Sequence, residues 1–288
     1  MGSALLRDLI WTIFTMKKVI RSTTVIAVCL VLVAICLLTG CQSNIQANAR
    51  RHINSINHRG YVDAPENTLS AFRMSKEMGF DCVECDVRFT KDNQPVLLHD
   101  KTVIRTSNGR GKISDMTLDE VRRLDFGSWK SMQYVGEQIP TFEEFISLCA
   151  ELELHPYVEI KNDVTLQQTQ RLVEIVDKTD LSVTWIGRDR DVLTLISQLR
   201  IGDRIGLLTE LLNQDALRYL SQLSETTEVF ADCFYATLTR SQIKRAKLFG
   251  IPIEVWTVNS EAIVSNIDPY ITGVTSDFIN AQELFNTL

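Results

Sequence analysis

The chain has 288 residues, 45% of them hydrophobic and 23% charged, with a formal net charge of −6. That is too apolar for a disordered chain and long enough to bury a large core. The mild acidity gives no electrostatic reason to expect nucleic acid, because neutralising many phosphates needs a basic face.

Residues 1–40 differ in kind from the rest. Lys17, Lys18 and Arg21 precede an almost unbroken apolar run from Val25 to Leu38, which ends in Leu38-Thr39-Gly40-Cys41. A basic region, an apolar region and small residues at the end predict a secretory signal. The ending resembles a bacterial lipobox, at which Cys41 is lipidated and the chain cleaved in front of it. An uncleaved anchor is the alternative, but the run is short against the ~20 residues of a membrane span. Met16, followed by two lysines, is a candidate start. Residues 41–50 then read as the lipidated cysteine and a polar spacer. Several acyl chains anchor firmly where one holds marginally, so the protein is expected outside the cytoplasm, tethered to a bacterial membrane through Cys41.

Residues 51–288 are expected to form one domain. Strand patterns lie near 53–58, 82–87, 155–160, 183–187, 204–208, 228–232, 251–257 and 271–275, with amphipathic stretches between them such as 65–78, 141–151, 165–178 and 239–249. Strand–helix alternation predicts a parallel sheet. Eight units in the 248 residues (288 − 40) from Cys41 to Leu288 match the roughly 250 of a (β/α)8 TIM barrel. The stretch from His99 to Pro140 is too long for an ordinary connection and predicts a small insertion after strand 2, at the barrel mouth. Cys82-x-x-Cys85 is half of a zinc spacing with no second half, and odd spacing in a strand points the two thiols to opposite faces. Buried free thiols are expected for Cys82, Cys85, Cys149 and Cys233.

Within the second strand, Glu84 and Asp86 share one face while Val83, Cys85 and Val87 take the other. Valines against the helices leave the acids facing the barrel interior, where two carboxylates repel unless a cation joins them. Glu159 and Lys161 repeat the pattern in Tyr157-Val158-Glu159-Ile160-Lys161. Three carboxylates make an all-oxygen site that favours Mg²⁺ or Ca²⁺ over zinc. His58 ends the first strand and His99 ends the apolar run Val96-Leu97-Leu98, both beside this site, whereas His52 and His155 begin strands at the opposite end. A histidine pair suits general acid–base work on a phosphodiester. Arg59 offers a planar fork to phosphate oxygens and Lys161 a point charge.

His58-Arg59-Gly60, Pro65-Glu66-Asn67-Thr68, Glu84-Cys85-Asp86-Val87, His99-Asp100, Ile139-Pro140-Thr141, Glu159-Ile160-Lys161 and Val255-Trp256-Thr257-Val258-Asn259 stand in the order and spacing of the family that this sequence resembles, the glycerophosphodiester phosphodiesterases. The resemblance covers nearly all of 53–288. It implies hydrolysis of a small-molecule glycerophosphodiester to glycerol 3-phosphate and an alcohol. Glu84, Asp86 and Glu159 would be metal ligands, His58 and His99 the acid–base pair, and Arg59 and Lys161 phosphate ligands. His58 would assist attack by a hydroxyl or water and His99 protonate the leaving alkoxide, or the two would exchange roles. Trp256 would wall the glycerol or headgroup pocket, core packing being its other reading, and Glu66 and Asn67 would shape the loop holding His58. The insertion would cover the glycerol side. The last strand departs from the family pattern at Ser276, where a threonine usually precedes the aspartate; that change is expected to touch the pocket floor. Two rival readings remain: a phospholipase-type enzyme on the same barrel, and a surface lipoprotein that binds without turnover.

Overall fold

A computed structural model describes residues 52–287. The segments 1–40 and 41–50, with the candidate start Met16 and the candidate lipidation site Cys41, lie outside the described residues. Among the described residues no helix is long and apolar enough to cross a membrane.

Among the described residues there are nine strands: β1 (Asn54–Asn57), β2 (Cys82–Phe89), β3 (Pro95–Leu97), β4 (His155–Ile160), β5 (Thr184–Gly187), β6 (Arg204–Thr209), β7 (Val229–Phe234), β8 (Ile253–Trp256) and β9 (Ile271–Ser276). All except β3 pair in parallel, in the order β1-β9-β8-β7-β6-β5-β4-β2, and pairing of β1 with β2 closes the ring. The helices are α1 (Leu69–Glu77), α2 (Leu118–Val121), α3 (Phe142–Leu152), α4 (Leu166–Val176), α5 (Arg190–Leu199), α6 (Gln214–Leu223), α7 (Arg240–Phe249), α8 (Glu261–Ser265) and α9 (Ala281–Thr287). The eight-fold barrel expected from the strand–helix rhythm is the observed fold.

The alternation in β2 shows why. Val83, Cys85 and Val87 are all fully buried, as side chains covered by helices must be. The other face turns inward, where Cys82 packs against a cluster of Ile56, Tyr157, Ile186, Leu208 and Phe230. Burial of aliphatic and aromatic side chains of this size contributes about 1.5–3 kcal/mol each. The cluster fills the barrel interior, and a cavity opens above it at the upper ends of the strands. Gly206 is required in it: an added Cβ would lie 2.4 Å from the Phe230 ring and 2.8 Å from Ile186.

Two departures from expectation concern element ends. α1 starts at Leu69 rather than Pro65, because Asn67 adopts a left-handed backbone (φ 56) and the Thr68 hydroxyl accepts from Ala71 N to cap the helix. β3 was not foreseen. It pairs antiparallel with the upper end of β2 through Val87–Leu97 and Phe89–Pro95, and so starts the insertion. Beyond it, Val96, Leu98, Val103, Ile113, Val121, Phe126 and Ile139 form a separate small core, which gives residues 99–140 a structure of their own beside the barrel mouth.

Candidate active site

The parallel register of β2 and β4 sets Asp86 directly beside Glu159, and Glu84 lies two residues earlier on the same face. Each of the three carboxylates offers an oxygen, and these oxygens lie within 4.8 Å of one another. The turn after β1 holds them in place. Arg59 N donates to Glu84 Oε2 at 3.0 Å. Asn67 Nδ2 donates to Asp86 Oδ2 at 2.7 Å, while its Oδ1 accepts from Asp86 N at 3.1 Å. That turn needs three left-handed residues, Arg59, Gly60 and Asn67. Gly60 also faces Ala71, whose carbonyl carbon would be 2.8 Å from any added Cβ. The expected role of Asn67 in shaping this loop is therefore met by a direct bond to a carboxylate.

Lys161 Nζ sits 2.6 Å from Asp86 Oδ1 and 2.7 Å from Glu159 Oε1, and Arg59 Nε lies 3.2 Å from Asp86 Oδ2. Burial, and after it the charges of Asp86 and Glu159, pushes the Glu84 carboxyl well above the usual range. Burial and Asp86 raise Glu159 as well. Burial alone would raise Asp86 too, but Lys161, Arg59 and His99 beside it pull it far down. Three carboxylates, two of them buried and Glu159 half-buried, against two cations leave the cluster short of positive charge. A hard divalent cation would supply that charge, and the all-oxygen donor set fits one.

Both histidines are held through the same ring atom. His58 Nδ1 lies 2.7 Å from Asp277 Oδ1, and His99 Nδ1 lies 2.8 Å from Asp100 Oδ1. Each ring is thereby oriented and its Nε2 left for the cavity that both line. Asp277 is fixed in turn by Asn259, whose Oδ1 accepts from Asp277 N at 2.9 Å. A chain of ion pairs joins the two sides of the rim: Arg59 to Glu66 at 3.2 Å, Glu66 to Arg105 at 2.6 Å, Arg105 to Asp100 at 2.7 Å. Arg105 comes from the insertion, so residues 99–140 tie His99 to the turn that carries His58. Arg88, on the Glu84–Asp86 face of β2, donates to the His99 carbonyl at 2.9 and 2.7 Å and pairs with Asp163. Burial first, then the Lys161 and Arg59 charges, lowers the His99 pKa against the opposing pull of Asp86.

These groups open onto a cavity of about 270 Å³ at the barrel mouth, with His58, His99, Arg59, Lys161, Glu84 and Glu159 in one part and Ile186, Arg188, Leu208, Asp232, Trp256 and Thr275 in the other. Asp86 lies beneath, fully buried. Trp256 lines the cavity and also packs against the barrel cluster. The expectation for Ser276 is corrected. Thr275, not Ser276, lines the cavity; the Ser276 hydroxyl donates to Asn259 Oδ1 at 2.8 Å and accepts from Ile279 N at 3.0 Å. Cys82 and Cys85 take opposite faces of β2 as expected, and the four described cysteines are free; Cys85, Cys149 and Cys233 are buried, but Cys82, at the start of β2, is half-buried, a correction to its expected burial. Arg88, Arg105, Arg188, Asp232 and Asp277 were not singled out from sequence. Strand parity marks Arg88 and Asp232; the others follow strands or sit in the insertion, where no periodicity points at a site.

Residues 58–281 match the model of the Glycerophosphoryl diester phosphodiesterase family. A glycerophosphodiester phosphodiesterase of Caldanaerobacter subterraneus is 30% identical over 240 residues, covering 78% of this chain and 96% of its own. A Bacillus subtilis relative, 46% identical over 237 residues (77% of this chain, 93% of its own), is provisionally given the same name. Among solved structures, an Oleispira antarctica phosphodiesterase in complex with the product sn-glycerol-3-phosphate superposes with a TM-score of 0.73 at 26% identity, over 80% of this chain and 94% of that one.

Proposed function

The chain belongs to the glycerophosphoryl diester phosphodiesterase family and is a glycerophosphodiester phosphodiesterase, and on that premise we propose how its residues divide the work. The products are glycerol 3-phosphate and an alcohol, as the product bound to the Oleispira relative suggests. Glu84, Asp86 and Glu159 hold one Mg²⁺ or Ca²⁺, which when bound neutralises phosphoryl charge and polarises oxygen. Arg59 and Lys161, on the same part of the cavity, orient the phosphodiester through its non-bridging oxygens. His58 and His99 move protons at their Nε2 atoms: one takes a proton from the attacking oxygen, the other returns one to the departing oxygen. Asp277 and Asp100 hold the two rings for that exchange. The observation that carries this reading is the convergence of two Nδ1-anchored imidazoles on a three-carboxylate cluster within one cavity.

The lipid anchor on Cys41 and an extracytoplasmic location belong to the same proposal. They rest on the lipobox-like ending of the 1–40 segment. Mass spectrometry of the mature N-terminus tests the anchor, which an unmodified Cys41 with residues 1–40 still attached would reject, and protease accessibility on intact cells tests the location, which full protection would reject.

The activity test is release of glycerol 3-phosphate from glycerophosphocholine with Mg²⁺ or Ca²⁺, with EDTA, and with His58→Ala or His99→Ala. Activity lost with EDTA, and lowered by about 10²- to 10⁴-fold in either variant, is expected from the share that acid–base catalysis supplies. Turnover untouched by both EDTA and the histidine variants would overturn the mechanism while leaving the family intact.

A further inference from the structure

One wall of the cavity plays no part in the proton transfers above. Ile186, Leu208 and Trp256 make it largely apolar, and Asp232 and Arg188 are its charged groups. Asp232 stands on β7 between Phe230, which packs in the barrel cluster, and Phe234, whose ring centroid is 4.9 Å from that of Trp256. Its neighbours in register are Leu208 and Glu254. Asp232 is only 4% exposed, and its Oδ1 is buried with no hydrogen-bond partner among the described residues. A carboxyl group buried without a partner is costly to the fold, so the position makes sense if a ligand completes it.

We propose that Asp232 recognises a free hydroxyl of the substrate, so that this inner wall takes a neutral polyol arm of the phosphodiester rather than a cationic amine. The inference rests on the phosphodiesterase reading and deepens it. Ile186, Leu208 and the Trp256 ring offer apolar contact to the carbon skeleton of such an arm. Trp256 Nε1 donates to the Asp232 carbonyl at 3.3 Å, which keeps the ring beside the carboxyl. Arg188 lies 5.8 Å from the Trp256 ring centroid and already brings a positive charge to the aromatic face that a quaternary ammonium would need. Burial, with Glu254 and Glu159 nearby, pushes the Asp232 carboxyl well above the usual range. It then offers both a donor and an acceptor, which matches a hydroxyl; ionised, it would still accept from one.

The experiment compares wild type, Asp232→Leu and Asp232→Asn, as full chains in detergent, on three diesters: glycerophosphoglycerol, glycerophosphocholine and bis(4-nitrophenyl) phosphate. Asp232→Leu should lower kcat/KM about 10- to 100-fold on both glycerol-bearing diesters, leave the nitrophenyl diester within about twofold, and keep or raise Tm. Asp232→Asn, which still hydrogen-bonds, should fall between. Loss on glycerophosphocholine alone would mean that Asp232 reads the cation, and overturns the inference. Equal loss on all three substrates would show a structural role, and no loss on any would show no role; each overturns it as well. If wild type hydrolyses none of the diesters with Mg²⁺ or Ca²⁺, the phosphodiesterase reading itself has failed and the inference falls with it.

Discussion

His58 and Asp277 meet across 219 positions of sequence, and no local pattern announces that contact. The acids and histidines were legible because strand parity and strand ends sort them; a partner delivered by barrel closure is not. The pair nevertheless has a direct consequence. Despite burial, hydrogen bonds from His58 and Asn259 hold the Asp277 carboxyl below its usual range, so it is an anion at neutral pH and fixes the Nδ1 side of the ring. Asp277→Asn keeps the shape but removes that charge and mixes the ring's orientations. It should lower kcat about 10- to 100-fold with KM within about twofold, less than deletion of the imidazole itself. A change confined to KM would show that Asp277 shapes the binding site rather than positioning His58.

At the scale of elements, helix starts were legible where a capping box is written into the chain. Thr117 with Glu120, Thr141 with Glu144, Thr165 with Gln168 and Thr239 with Gln242 each satisfy two backbone donors reciprocally. The missed details have the opposite character. β3 is three residues long and exists only because β2 offers it an edge, and α1 is delayed by the left-handed Asn67 that the carboxylate cluster needs. Capping thus belongs to stability and the Asn67 turn to function, and the two separate experimentally. Thr239→Ala removes the hydroxyl that accepts from Gln242 N at 3.3 Å. It should cost about 1 kcal/mol, a fall in Tm of about 2–4 °C for a domain of this size, with kcat unchanged. A fall in kcat at constant Tm would tie α7 to the chemistry instead.

For the whole molecule, eight strand–helix units in sequence are enough to predict the barrel, and closure by β1 between β2 and β9 is what turns scattered residues into a charged cavity. The same closure concentrates Glu84, Asp86 and Glu159 in a largely buried cluster that Arg59 and Lys161 only partly neutralise. The ion-free fold therefore carries a repulsion that a bound divalent cation relieves, and binding must appear as stability. At an ion concentration of about 100 Kd the gain is about 2.7 kcal/mol, which for a domain of this size is a rise in Tm of about 5–11 °C. Burial together with Asp86 raises the proton affinity of both Glu84 and Glu159. Protons therefore compete with the ion as pH falls, and the ion-induced rise should shrink from pH 7 toward pH 5. Glu84→Gln should raise the Tm of the ion-free protein, because it removes one of three repelling charges, and abolish most of the ion-induced rise. Differential scanning calorimetry with EDTA, Mg²⁺ and Ca²⁺ measures all three quantities. A rise that survives intact in Glu84→Gln would place the ion elsewhere and separate the cluster from metal binding.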